Sequence, residues 1–227
     1  MKEFNNAVES YFHRASCIIH CIVICAGIVA CQNSHKESVD VPYYNTPDFM
    51  PIWETVNPAD ISIHTIPPFS FINQYGDTIT QKNTENKIYL VNFFFTSCSG
   101  ICPRMTETLL QVYKKFKNDS DVMIISHSVD PDHDTPDKLL DFARRYGIPK
   151  SNWEFVTGNR DSIYTLARRG YFVEQVMGYN KSTKEFLHSE NIILVDKHKH
   201  IRGIFNGTVS LDGARMIDDI EKLKKEK

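Results

Sequence analysis

Two cysteines four positions apart, Cys98 and Cys102, stand in the segment FFFTSCSGICPRM, between an apolar run and a stretch of helical period. Pro103, directly after the second, is suited to open a helix, which puts both sulfurs at a helix N-terminus. Unpaired backbone N–H groups and the positive end of the helix dipole stabilise thiolate there, so one or both cysteines are expected to have a lowered pKa. Such a pair is either a soft metal-ligand set or a redox couple. Gly100 lets the three-residue loop between them fold back, so that the sulfurs either close a disulfide or point at one ion. A purely structural bridge is the plainer alternative, but over so short a loop it gains little from chain entropy.

The elements that must position this pair are legible on either side of it. Residues 87–95, KIYLVNFFF, form a continuous β-prone apolar run, the mark of a central strand buried on both faces. Residues 103–117 follow as an amphipathic helix with Met105, Leu109, Val112, Tyr113 and Phe116 on one stripe. Residues 121–129 make a second buried strand. A second helix over 135–146 has Thr135 as N-cap, Pro136 at its first position and Gly147 as its stop. A hairpin is expected from 70–73 and 77–80, a third strand at 153–156, a third helix at 161–169, strands at 191–195 and 201–205, and a last helix over 211–224. The order β-β-β-α-β-α-β-α-β-β-α describes an α/β fold, a mixed central sheet with helices on both faces.

Asp130 and Asp134 sit just beyond the C-terminal end of the second buried strand, the usual ligand side of an α/β sheet. Both are candidates to surround the thiol site, orienting it or handling protons, although Asp134 reads equally as a helix-capping group beside Thr135. The other histidines carry less. His198 and His200, in the run Lys-His-Lys-His, read as a solvated turn; His127 lies in a buried strand; His35 and His64 fall in the tether and lead-in.

The chain has 227 residues, the length of one domain and an additional segment, with 41% hydrophobic and 24% charged residues, a composition that can bury a core. Twenty-six basic and 28 acidic residues leave a net charge of −2, which provides no overall field for nucleic acid. Four of the six cysteines, at 17, 21, 25 and 31, fall in the first 31 residues. Residues 15–30, ASCIIHCIVICAGIVA, are too short for a comfortable membrane span but long enough for the core of a signal peptide. They end in Ile-Val-Ala-Cys, similar to the box in which a bacterial lipoprotein is cleaved and lipidated, with Cys31 as the modified residue; an uncleaved single anchor is the alternative. Cys17, Cys21 and Cys25 read as small apolar residues of that segment. Expected, then, are a signal or anchor over 1–31, a polar and then Pro-rich tether and lead-in over 32–60, and a folded body over 61–227.

TSCSGICPRM at 96–105, SVDPDHDTP at 128–136 and a late His188 before a strand together resemble the Sco/SenC family of thioredoxin-like copper proteins, over roughly residues 60–225. The resemblance implies a thioredoxin-like fold, copper as Cu(I) or Cu(II), and Cys98, Cys102 and His188 as its ligands. Ser99 stands where the family often has Pro, and Leu187 where Asp is common before the histidine. Two thiolates and an imidazole suit Cu(I), although zinc tolerates the same donors.

Two functions compete for these atoms. The resemblance implies a metallochaperone at the periplasmic face of a bacterial inner membrane, held in the cell envelope by its N-terminal anchor. It would load copper into the copper-bearing subunit of cytochrome c oxidase and exchange with other copper or thiol carriers. Alternatively, Cys98 and Cys102 act as a thiol–disulfide reductase, one attacking and the other resolving. The spacing, one residue longer than Cys-x-x-Cys, and His188 without a nearby proline favour metal. A peroxiredoxin-like peroxidase is weaker, since Thr96 stands two residues before Cys98 rather than three.

Overall fold

The computed structural model describes residues 40–53, 62–173 and 189–226. The chain separates into two units, Met1–Ser38 and Val39–Lys227, and everything described lies in the second. Its strands are β1 (Tyr43–Tyr44), β2 (Pro51–Ile52), β3 (Ser70–Asn73), β4 (Thr78–Thr80), β5 (Ile88–Phe94), β6 (Val122–Ser128), β7 (Trp153–Thr157), β8 (Asn191–Val195) and β9 (Ile201–Asn206). The helices are α1 (Ile101–Phe116), α2 (Pro136–Arg145), α3 (Arg160–Thr165) and α4 (Ser210–Leu223). Among the described residues the strands make one sheet in the order β2-β1-β9-β8-β5-β6-β7-β3-β4. β5, β6 and β7 are parallel, while the remaining pairings are antiparallel.

The apolar runs end up where their composition demands. Every residue of β5 and of β6 is buried, as a strand covered on both faces requires. Alternation divides β5 between two cores. Ile88, Leu90 and Phe94 join Met105, Leu109, Val112, Leu139, Phe142, Met216 and Ile220 from α1, α2 and α4. Tyr89, Val91 and Phe93 face Phe69, Phe71, Ile163, Tyr164 and Tyr171 on the other side. Helices therefore cover both faces, as the element order implies. The Thr135 hydroxyl accepts the Lys138 N–H, Pro136 opens α2, and Gly147, at φ +67°, ends it.

Three segments depart from the sequence reading. The third helix is shorter than expected: α3 gives way to a wider π turn over Leu166–Gly170. A Cβ at Gly170 would come within 2.9 Å of Leu166 Cδ1 and 3.1 Å of Pro67 Cδ, so this turn is packed tightly on Pro67. The Pro-rich lead-in contributes β1 and β2 to the sheet, with Tyr44 opposite Ile201 and Tyr43 opposite Ile52. Strands of two residues have no periodicity to read, and their hold is largely remote: Arg202 donates to the carbonyls of Val41 and Pro42 at 2.6 and 3.2 Å. Finally, His200 is buried at 1% exposure rather than solvated, 3.6 Å from the Asp196 carboxylate and edge-on to Tyr43, while His198 is exposed as expected.

Candidate metal centre

β5 ends at Phe94, and the chain turns at once, with the Cys98 N–H donating to the Phe95 carbonyl at 3.2 Å. α1 then starts at Ile101 with Gly100 as N-cap, so Cys102 is its second residue and Pro103 its third. Pro103 lacks an N–H at a position where a helix N–H has no intrahelical acceptor, so the helix starts there at no loss. Both cysteines are free thiols, Cys98 half-buried and Cys102 at 3% exposure against the α1 core.

Local geometry separates the two thiols. Burial pushes the Cys98 pKa up, but the Cys102 thiol and the backbone N–H groups of Cys102, Gly100 and Ile101 donate to its sulfur, and the net result is a pKa below that of an ordinary thiol. The Cys98 sulfur thus occupies the place of a capping oxygen, taking amides that α1 cannot satisfy itself. Cys102 shifts the other way, up to about 12, chiefly because it is buried and also because it donates to Cys98. The helix terminus therefore lowers the pKa of Cys98 alone. For Cys102, burial outweighs the terminus, an effect that spacing in the sequence does not reveal.

The loop that carries Cys98 is fastened from the next strand. Asp134, 1% exposed, accepts the Thr96 N–H at 3.0 Å, the Thr96 hydroxyl at 2.5 Å and the Ser128 hydroxyl at 2.6 Å. Val129 N–H donates to the Phe94 carbonyl at 2.8 Å, and Tyr164 Oη holds the Val129 carbonyl at 2.9 Å. Asp134 does not cap α2, a role Thr135 takes. Asp130 turns elsewhere: its carboxylate meets His133 Nδ1 at 2.9 Å and lies 3.9 Å from Arg160, which pairs with Asp132 at 2.5 Å. Of the two aspartates, only Asp134 is shown bonded to the cysteine loop. Of its partners, Thr96 entered the sequence reading only for its spacing from Cys98, and Ser128 was not singled out. Their signal was no more than hydroxyls flanking the cysteine motif and the aspartate motif.

His188 and Cys31 lie outside the described residues. Among the described residues no group of three His, Cys, Asp or Glu side chains converges as a metal site. Two free thiols, one of low pKa, are still a fitting soft donor pair for a copper ion and lack only a third ligand.

A mixed sheet flanked by helices, with two thiols at the start of the helix that follows its central strand, defines a thioredoxin-like protein whose chemistry sits at that turn. Residues 57–225 match the SCO1/SenC family model, and the chain belongs to that family. It is 30% identical over 160 residues to the SCO1 protein homolog of Bacillus subtilis (strain 168), an alignment covering 70% of this chain and 82% of that one. Among solved structures it is similar to BsSco, a member of the Sco family of cytochrome c oxidase assembly proteins in which a disulfide switch was identified. That match has a TM-score of 0.60 and 29% identity, over 72% of this chain and 95% of the other. Copper-bound ScoI of Arabidopsis thaliana is similar at a TM-score of 0.55 and 25% identity, over 70% of this chain and 98% of that one.

Proposed function

We propose that this chain is a membrane-anchored copper-binding protein of the cell envelope that delivers copper to the copper-bearing subunit of cytochrome c oxidase, or prepares that subunit's thiols. Copper is cargo in this reading. Cys98 and Cys102 hold it, His188 completes the site, and thiols of the partner displace these ligands one after another. Residues 1–31 supply the anchor, through lipidated Cys31 or as an uncleaved helix, and place the domain at the outer face of the membrane. Among the described residues no helix is long and apolar enough to cross a membrane.

The observation that carries the reading is the Cys98 sulfur, free, part-exposed and supplied with backbone N–H groups at the start of α1. The thiolate form needed to hold a soft monovalent ion is thereby favoured before the ion arrives. Copper-bound A. thaliana ScoI and the oxidase-assembly role of the Sco family named for BsSco support the same assignment. Its test is titration of the reduced chain with Cu(I) against a competing chelator. His188→Ala and Cys98→Ser are expected to weaken binding at least about tenfold each. Wild-type affinity in His188→Ala would remove His188 from the ligand set.

A second reading is favoured by the opposite shifts of the two thiols. An accessible sulfur of low pKa beside a buried one of high pKa is the arrangement of an attacking and a resolving cysteine. As a reductase, Cys98 thiolate attacks a partner disulfide and Cys102 then displaces the reduced partner, forming the Cys98–Cys102 disulfide. Turnover of a disulfide substrate that Cys98→Ser abolishes would support this reading.

A further inference from the structure

The topology gives the domain two distinct ends. β5 delivers Cys98 at one of them. β9 runs parallel to β5, because both pair antiparallel with β8, so the start of β9 at Ile201 lies at the other. α1 and α4 finish at that remote end, where Lys224 pairs with Asp119, and Arg202 ties Glu226 to the Val41 carbonyl. The chain therefore enters the body beside the end remote from its thiols.

Large apolar side chains are exposed near that end, as Leu211 is at the start of α4, and here basic side chains accompany them. Met50 directly precedes β2, whose first residue Pro51 pairs with Tyr44, itself opposite Ile201. Met50 is 64% exposed at that end and Trp53, three residues further along the same sheet edge, 56%; the two flank an edge strand with no further strand beyond it among the described residues. Lys114, Lys117 and Lys225 are exposed at the ends of α1 and α4, whereas Lys115 and Lys224 are engaged with Glu221 and Asp119. Nine residues lie between Cys31 and Val41, ten steps with a reach of at most about 35 Å. A tryptophan and a methionine open to solvent, lysines at the same end of the domain and so short a leash match the chemistry of a membrane interface, where tryptophan sits among the headgroups and lysine against anionic lipid.

We propose that this remote end, with the β2 edge beside it, is the membrane-contacting surface of the domain, with Met50 and Trp53 seated among lipid headgroups, so that Cys98 faces away from the bilayer. The inference rests on the anchoring reading of residues 1–31 given above.

The chain has two tryptophans, and Trp153 is 1% exposed within the core, so contact quenching by lipid reads Trp53. The full chain is reconstituted in vesicles of roughly 30 mol % phosphatidylglycerol in phosphatidylcholine, the latter either ordinary or brominated near the top of its acyl chains. Flotation is measured alongside. The expected result is a chain that floats and loses ~30% or more of its emission in brominated vesicles. That loss should disappear in Trp53→Phe and shrink in Met50→Glu, with flotation unchanged in both. A chain that floats with equal emission in the two kinds of vesicle overturns the membrane contact and leaves the anchor standing. Unquenched emission together with cross-linked dimers assigns the edge to a second copy and overturns it likewise. Quenching that persists in Trp53→Phe also overturns it. A chain that does not float refutes the anchor, and the proposal with it.

Discussion

Asp134 grips Thr96 twice, taking its backbone N–H at 3.0 Å and its hydroxyl at 2.5 Å, and so pins the loop bearing Cys98 to the end of β6. The grip spans 38 residues of sequence and is part-buried, with the buried Ser128 hydroxyl as a third donor. Removing the carboxylate leaves that one buried donor unsatisfied, at about 1–3 kcal/mol, and frees the two donors of Thr96. Asp134→Ala is therefore expected to lower stability by roughly 1–3 kcal/mol in chemical denaturation and to weaken Cu(I) binding at least about tenfold. Thr96→Val, which keeps the backbone N–H, should lose less. Wild-type copper affinity in a folded Asp134→Ala variant would mean that the loop needs no such fastening.

The two thiols should react at very different rates. Cys98 is part-exposed with a lowered pKa, whereas Cys102 is buried and shifted up to about 12. A lowered pKa keeps thiolate present below the ordinary value of 9.0, so the rate of Cys98 alkylation should reach half its maximum below pH 9.0 and fall about tenfold per unit further down. Mass spectrometry after a short iodoacetamide pulse at neutral pH should find the label on Cys98, with Cys102 modified only on unfolding. Equal labelling of both would refute the asymmetry.

His127 makes stability depend on pH. It is fully buried, its ring within 5.2 Å of the rings of Phe71 and Phe93, and neither ring nitrogen has a hydrogen-bond partner among the described residues. Burial lowers its pKa from 6.5 to about 3, so the folded state holds it neutral. The stability gained from the neutral ring is complete above pH 6.5 and is lost as the pH falls towards 3, because the unfolded chain takes up the proton first. By pH 5 the loss is about 2 kcal/mol. His127→Phe should flatten this part of the profile in urea titrations at pH 7 and pH 5, and an unchanged slope would assign the acid sensitivity to other groups.

Arg202 should govern whether the lead-in stays docked. It is 1% exposed, bonded to Asp196 at 3.0 Å and to both Glu226 oxygens at 2.8 Å, and lies over the Tyr43 ring at 3.9 Å. Arg202→Met leaves Asp196, 3% exposed, without its guanidinium partner, and breaking a buried pair in this way costs about 3–5 kcal/mol. Hydrogen exchange in the variant should show residues 41–52 losing protection before the central strands. Protection retained there would show that strand pairing alone holds the lead-in.

How much of this was readable from sequence varies with the kind of signal. β5 and α1 could be read because burial on both faces and a one-sided stripe leave strong patterns: all seven residues of β5 are buried, as are Met105, Leu109, Val112, Tyr113 and Phe116. α2 declared itself through Thr135, Pro136 and Gly147, each fitted by its own chemistry to its position. The two-residue strands β1 and β2 carry no period, and they are fixed by an arginine about 160 positions away, at Arg202. The Cys98–Cys102 pair stood out by type and spacing, yet the opposite shifts of its members depend on the depth of Cys102 in the core. The clamp at Asp134 was half visible, since the aspartate was noted as a neighbour of the thiol site but Thr96 only for its spacing from Cys98. His200 looked solvated in a run of lysines because the sequence does not show that Tyr43 folds over it.

Whether Cys98, Cys102 and His188 close on one copper ion is decided by X-ray absorption at the copper K-edge of the Cu(I)-loaded chain. The expected first shell is two sulfurs and one nitrogen, with the nitrogen lost in His188→Ala and one sulfur lost in Cys102→Ser. A shell that keeps its nitrogen without His188, or an all-sulfur site shared between two chains, would contradict it.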